Sequence, residues 1–154
     1  MIELSYTLSD RTVVLREQRR LDLARADFGD LCYKCFGGDL VFRADGADFS
    51  IVTGGGVQIL DFAVEFFAAA RKAAKGKTAR VLFAGMADEI HLRPAPEAVE
   101  IAPNYTDETV FVPARELVSA ARGFLTDVVT GLTAAHPELR RNDELTRYRA
   151  RVGL

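Results

Sequence analysis

Apolar residues recur along this chain at two spacings, and the points where one gives way to the other divide it into four stretches. In the first, Ile2, Leu4, Tyr6 and Leu8 alternate with polar residues, the pattern of a strand with one face on a core. The run TVVLREQ, from Thr12 to Gln18, follows a Ser9-Asp10-Arg11 turn signal, which predicts that it folds back on the first strand as a hairpin. Residues 19–30 (RRLDLARADFGD) fit a short strand or an irregular connection equally well. Beyond them, β-prone runs flank Asp45-Gly46, a pair that accepts positive φ, and a tight hairpin is expected there.

A helical period takes over after Gly54-Gly55-Gly56. Ile59, Phe62, Phe66 and Ala70 form one stripe, which Leu60, Val64 and Phe67 widen, and Gly76 stands just beyond Lys72 and Lys75; this predicts a helix over 57–75. Four short runs then follow, ARVLFAG, EIHLRP, AVEIAP and ETVFVP, and predict an antiparallel meander in which Pro94, Pro96 and Pro103 end strands. The helical period returns at Pro113, tolerated in a first turn, with Leu117, Ala121, Phe124 and Val128 on one face, and His136-Pro137 ends it. Leu145, Tyr148 and Val152 predict a short third helix capped by Asn142 or Asp143. Strands that mostly follow one another, with helices segregated from them, make the fold class α+β: a mainly antiparallel sheet of short strands, two long helices packed on it and a short C-terminal helix.

A length of 154 residues fits a single domain over 1–154, and 49% apolar with 27% charged residues is an ordinary globular balance. No apolar run approaches the roughly 20 residues that cross a bilayer, and MIELSYTLSDR lacks the basic-then-apolar order of a signal peptide, so a cytoplasmic protein is expected. The net charge of −2 offers no general attraction to nucleic acid or anionic lipid. Its distribution is uneven, however. Between Val81 and Phe111 six acids (Asp88, Glu89, Glu97, Glu100, Asp107, Glu108) face the single base Arg93, whereas Glu138–Leu154 carries Arg140, Arg141, Arg147, Arg149 and Arg151 against three acids.

Candidate chemistry is sparse. Cys32 and Cys35 share the spacing of a zinc knuckle or a redox pair, but a redox cysteine opens a helix, and here Phe36-Gly37-Gly38 and a strand-like run follow. His91 and His136 are too far apart in sequence to complete a local zinc set. In an extended strand the two thiols point to opposite faces, so they are read as inert apolar residues. The glycines of TGGGVQ can aim backbone N–H groups at a phosphate, yet neither a P-loop nor a dinucleotide fingerprint surrounds them, and a flexible strand-to-helix linker is expected. Alternation sets Glu89, His91 and Arg93 on one wet strand face, and His136 stands at a helix end where the dipole favours it. Asp61 and Glu65, four apart, fall opposite the phenylalanines and are expected in solvent. The arginine-rich tail, with Leu145, Tyr148 and Val152 interleaved, reads as a docked amphipathic helix and not as a nucleic-acid site. No catalytic residue, cofactor site or metal site is predicted.

The stretches GGDLVFRADG, GGGVQILDFAVEF and ARELVSAARGFLTDVV, followed by a polar helical tail, resemble the small actinobacterial proteins grouped with polymorphic-toxin immunity proteins; the likeness spreads over about 37–135. That resemblance implies a bacterial, non-enzymatic protein that inhibits a toxin by binding it. The acidic segment, with Glu89, Glu97, Glu100, Asp107 and Glu108, is then the expected surface for a basic partner. The competing expectation is a small-molecule-binding protein or enzyme with a cleft near Gly54–Gln58 and His91. Because the cysteines lack further ligands, protein purified without chelator should carry less than about 0.2 equivalents of zinc by elemental analysis. A stoichiometric value would show that the missing ligands are supplied elsewhere in the fold.

Overall fold

The computed structural model describes residues 1–154. The elements in order are β1 (Ile2–Leu8), α1 (Thr12–Leu15), a 3-10 turn at Gln18–Arg20, α2 (Phe28–Lys34), β2 (Gly37–Ala44), β3 (Ala47–Asp48) and β4 (Val57–Gln58). They continue with α3 (Ile59–Ala74), β5 (Ala79–Leu82), β6 (Glu89–Ala95), β7 (Ala98–Pro103), β8 (Val110–Pro113), α4 (Ala114–Ala135), a 3-10 turn at Pro137–Arg141 and α5 (Asp143–Val152). The class is α+β, but the strands form two four-stranded antiparallel sheets where one was expected. No helix is long and apolar enough to cross a membrane.

In the first sheet β1 pairs along its length with β2, from Ile2 opposite Ala44 to Leu8 opposite Gly38. The expected hairpin partner, TVVLREQ, is therefore not a strand. It forms α1 and leads into the 3-10 turn, and its two valines part ways: Val13 faces solvent while Val14 turns inward. The glycines that open β2 account for this. A Cβ on Gly37 would lie 2.5 Å from Val14 Cγ1 and 2.8 Å from the Gly55 carbonyl oxygen, so the bare backbone there is what lets α1 and the triple-glycine loop close over β2. The hairpin at Asp45-Gly46 is as expected, with φ of 47° and 89° at the two positions and Ala44 paired to Ala47.

The second sheet is the expected meander, β5-β6-β7-β8. Val81, Ile90, Leu92, Val99, Ile101 and Val112 are buried on its inner face; Arg80, Leu82, His91, Arg93, Glu100 and Phe111 alternate with them on the outer face. Pro94 sits one residue inside β6 and not at its end. It lies past the last residue paired with β5, where no strand asks for an amide on that side.

Between the sheets runs α3, ended by Gly76 at φ 87° with Gly76 N–H bonded to Ala73 O and Lys77 N–H to Lys72 O, a Schellman motif. Its Phe62 ring lies 5.2 Å from both Phe66 and Phe83 and 5.8 Å from Phe124 of α4. Phe66 in turn meets Phe42 of β2 at 5.3 Å, so one chain of aromatic contacts joins both sheets through the two long helices.

Residues 19–30, undecided from sequence, are held by the C-terminal helix. Asn142 caps α5, its Oδ1 accepting from Leu145 N–H, while its Nδ2 donates to the carbonyls of Leu23 and Ala26, both at 2.8 Å. Glu144 accepts from Phe28 N–H, and Tyr148 stacks on Phe28 at 4.7 Å. Phe62→Ala should cost about 3–5 kcal/mol in urea unfolding, since it removes a fully buried ring that meets Phe66, Phe83 and Phe124, whereas exposed Lys72→Ala should stay within about 0.5 kcal/mol. The opposite order would mean that α3 is not the central element.

Candidate functional site

A meander places alternate loops at opposite ends of its sheet, and this divides the acidic segment. The β5–β6 and β7–β8 loops share one end, tied together by Asn104: its backbone N–H donates to Glu89 O, its Oδ1 accepts from Glu89 N–H, and its Nδ2 donates to Ala87 O. Asp88, Glu89, Asp107 and Glu108 therefore gather at that end. Glu97 occupies the β6–β7 turn at the other end, at φ 57°, and Glu100 lies mid-sheet with its Oε1 2.8 Å from Arg93 Nη1. Of the five residues expected to form a partner surface, the fold brings together Glu89, Asp107 and Glu108, and it separates Glu97 and Glu100 from them.

At the same end a cleft of about 400 Å³ opens between α2, α3 and the β5–β6 loop. Its walls include Tyr33, Leu82, Phe83 and Met86, and four carboxylates face it: Asp61, Glu65, Asp88 and Glu89. Glu89 has partners of its own, with Arg80 Nη1 at 3.8 Å from its Oε2 and His91 Nε2 at hydrogen-bond distance, 2.6 Å, from its Oε1. Asp61, Glu65 and Asp88 form no ion pair within the chain. The four carboxylates do not converge with a histidine or cysteine into a set able to hold a metal ion.

Asp61 corrects the sequence reading. It was expected in solvent opposite the phenylalanines, but it is 4% exposed, and no group of the chain donates a hydrogen bond to it. A polar stripe predicts exposure when a helix is covered on one side. Here α3 packs against α2, α4 and both sheets, and its first turns bury Ile59, Leu60, Phe62 and Ala63 beside Asp61. Burial, with repulsion from Glu65 added, pushes the Asp61 carboxyl up to about 6 from its ordinary 3.8. No signal in the sequence separates this aspartate from a surface one. Its i, i+4 relation to Glu65 was legible; its burial depends on α2 and the β5–β6 loop.

The other candidates fall away on geometry. The N–H groups of Thr53, Gly54 and Gly55 converge as an anion nest, and Asp39 Oδ1 already fills it at 3.1, 2.9 and 3.0 Å. The cleft beside Gly54 and Gly55 is lined by Ser9, Asp10, Arg11 and Asp39; His91 lines neither it nor the acidic cleft. Gln58 Oε1 is buried without a partner but borders neither cleft.

Cys32 and Cys35 are not in a strand. Cys32 lies in the last turns of α2 and Cys35 is its C-cap, so both sit at the helix end that disfavours a thiolate, and burial pushes each thiol up to about 12. What disfavours their thiolates is burial and the helix end, not strand geometry. His136 caps the C-terminus of α4 as expected. Tyr148, at 6% exposed and stacked on Phe28, has no face left for a nucleic-acid base.

Comparison of the chain with family models, with curated proteins and with solved structures finds no match in any of the three.

Because folding raises the proton affinity of Asp61, the stability it confers is fully present below about pH 4 and is lost as pH rises through about 6. At neutral pH the ionised group costs on the order of 1–3 kcal/mol. Asp61→Asn should accordingly be more stable than wild type by about 1–2 kcal/mol at pH 7.5 and nearly equal to it at pH 4, in urea titrations at both pH values. A difference that does not change with pH would place Asp61 in solvent after all.

Proposed function

We propose that the protein is a non-enzymatic binding protein that engages a basic protein partner through the acidic end of its second sheet. One observation carries this reading: Asp61, Glu65 and Asp88 converge on one cleft and none has a cation from its own chain. Burial of Asp61, with repulsion from Glu65 added, lowers stability at neutral pH, so a partner that brings cations gains more there than at a neutral surface. Asp107 and Glu108, exposed at the same end, extend the negative field and would steer a basic partner to it. Inhibition of a toxin by an immunity-like protein is the form of this reading that the sequence resemblance adds.

The rival, a ligand site near Gly54–Gln58 with His91, has less support. The anion nest there is filled by Asp39, and His91 faces Glu89 on the open side of a different sheet.

The test is to recover partners from a native lysate and measure association with the purified partner. Wild type should bind in about 1:1 stoichiometry with an on-rate that falls about tenfold or more between low and high salt. Asp107→Lys/Glu108→Lys should lower the low-salt on-rate, while Glu97→Lys, at the opposite end, should leave it unchanged. Equal rates for all three proteins at both salt concentrations would refute the reading.

A further inference from the structure

The acidic end of the sheet contains one carboxylate unlike the rest. Glu65 is exposed, Asp88 is half-buried, and Glu89 has His91 and Arg80; these are solvated or paired, as surface acids usually are. Asp61 is buried, borders the cleft and has neither a donor nor a cation from the chain. Its oxygens are open to the cleft and not sealed from it, so what solvates that charge, water or a cation, is whatever occupies the cleft. The mouth carries two apolar side chains left in solvent, Tyr33 at 59% and Leu82 at 52% exposed. An occupant that satisfies both features has a cation at its tip and an apolar stem behind it.

We infer that the cleft receives one basic side chain of the partner, an organic monocation on an apolar stem, with Asp61 as the carboxylate that meets the charge and Tyr33 and Leu82 as the rim that covers the stem. This rests on the reading of the protein as a binder of a basic partner and names the chemistry by which that binding is anchored. A bare metal ion does not fit, because the carboxylates do not assemble into a ligand set and the apolar rim would do nothing for it. An anion is excluded by the four carboxylates. Glu65 and Asp88 add attraction at the mouth without being buried themselves.

The same geometry makes occupancy pH-dependent. The titratable groups around Asp61 are Glu65 on its own helix, Cys32 and Tyr33 on α2, and Asp88 and Glu89 from the β5–β6 side. Cys32 and Tyr33 stay neutral at physiological pH, since both are raised above their ordinary values, Cys32 by burial and Tyr33 chiefly by Asp61. Asp61, pushed up to about 6, changes charge in the mildly acidic range, and a bound cation draws it back toward an ordinary carboxylate.

Butylguanidinium, butylammonium, butyrate and the capped peptide acetyl-Gly-Arg-Gly-amide serve as probes, followed by amide chemical shifts and by the Asp61 side-chain carboxyl carbon signal. At pH 7.5 the two cations and the peptide should shift Tyr33, Asp61, Leu82 and Asp88, and butyrate should not. Asp61→Asn should weaken butylguanidinium about tenfold or more, and wild type should weaken by a similar factor on going to pH 5. The Asp61 titration midpoint should fall when the probe is added, which a purely structural role would not produce and which needs no variant to fold.

Equal binding by wild type and Asp61→Asn, or no shift with any cation, overturns the inference. So does binding of free butylguanidinium with exclusion of the capped peptide, because the cleft then takes a free organic cation and not a side chain. If the probes fail while a recovered partner still binds with the salt dependence described above, the anchor is lost and the protein-binding reading stands. If the probes bind through Asp61 while association with that partner ignores salt and charge reversal, the anchor's chemistry stands and the binding reading falls.

Discussion

Coverage of α3 by two sheets and a second long helix is the constraint on which the rest of the structure depends. A helix that buries Phe62, Phe66, Phe67 and three alanines of its second half cannot be served by one sheet, and here it is served by two, with α4 closing the gap. Each layer contributes a ring to the same contact chain: Phe42 from the first sheet, Phe83 from the residue just past β5, and Phe124 from α4. Edge-to-face and stacked pairs of this kind add about 0.5–1.5 kcal/mol each beyond the area they bury, and their geometry fixes the distance between layers. Asp61 is caught in that arrangement. The close coverage that makes the aromatic core also removes a neighbouring carboxylate from water.

This explains which parts of the fold were legible in the sequence. The body of α3, the Asp45-Gly46 hairpin, the four-strand meander and α4 announce themselves through local periodicity and through Gly, Pro and Asp at their ends, and each needs no knowledge of its neighbours. The misread parts are those decided by distant contacts. Thr12–Leu15 carries a β-branched run, yet the free backbone of Gly37 makes a better place for Val14 than a ladder would. Cys32 and Cys35 were placed in a strand because nothing nearby marks α2 except its cap, Asp27, which accepts from Asp30 N–H at 2.7 Å. Asp61 looked like any surface acid because amphipathic periodicity assumes a single buried face.

The candidate site was visible as charge and not as shape. A count of acids along 81–111 identifies an acidic region, but strand order decides that Asp88, Glu89, Asp107 and Glu108 share an end and that Glu97 does not. The carboxylates of α3 that complete the cleft come from outside that segment. Internal neutralisation also follows from register alone: Arg93 stands opposite Glu100, and Arg80 opposite His91 next to Glu89, so the outer face of the sheet is largely balanced while its end is not.

Asn142 has a bearing on the order in which the chain can acquire its structure. Its side chain amide holds the carbonyls of Leu23 and Ala26, and Glu144 and Tyr148 hold Phe28, so the peptide leading into α2 is anchored by α5. During synthesis residues 21–30 leave the ribosome long before 142–148. The meander, built from neighbours in sequence, can close while translation continues, but the segment that leads into the Tyr33 wall of the acidic cleft gains its last anchors when the C-terminal helix has emerged.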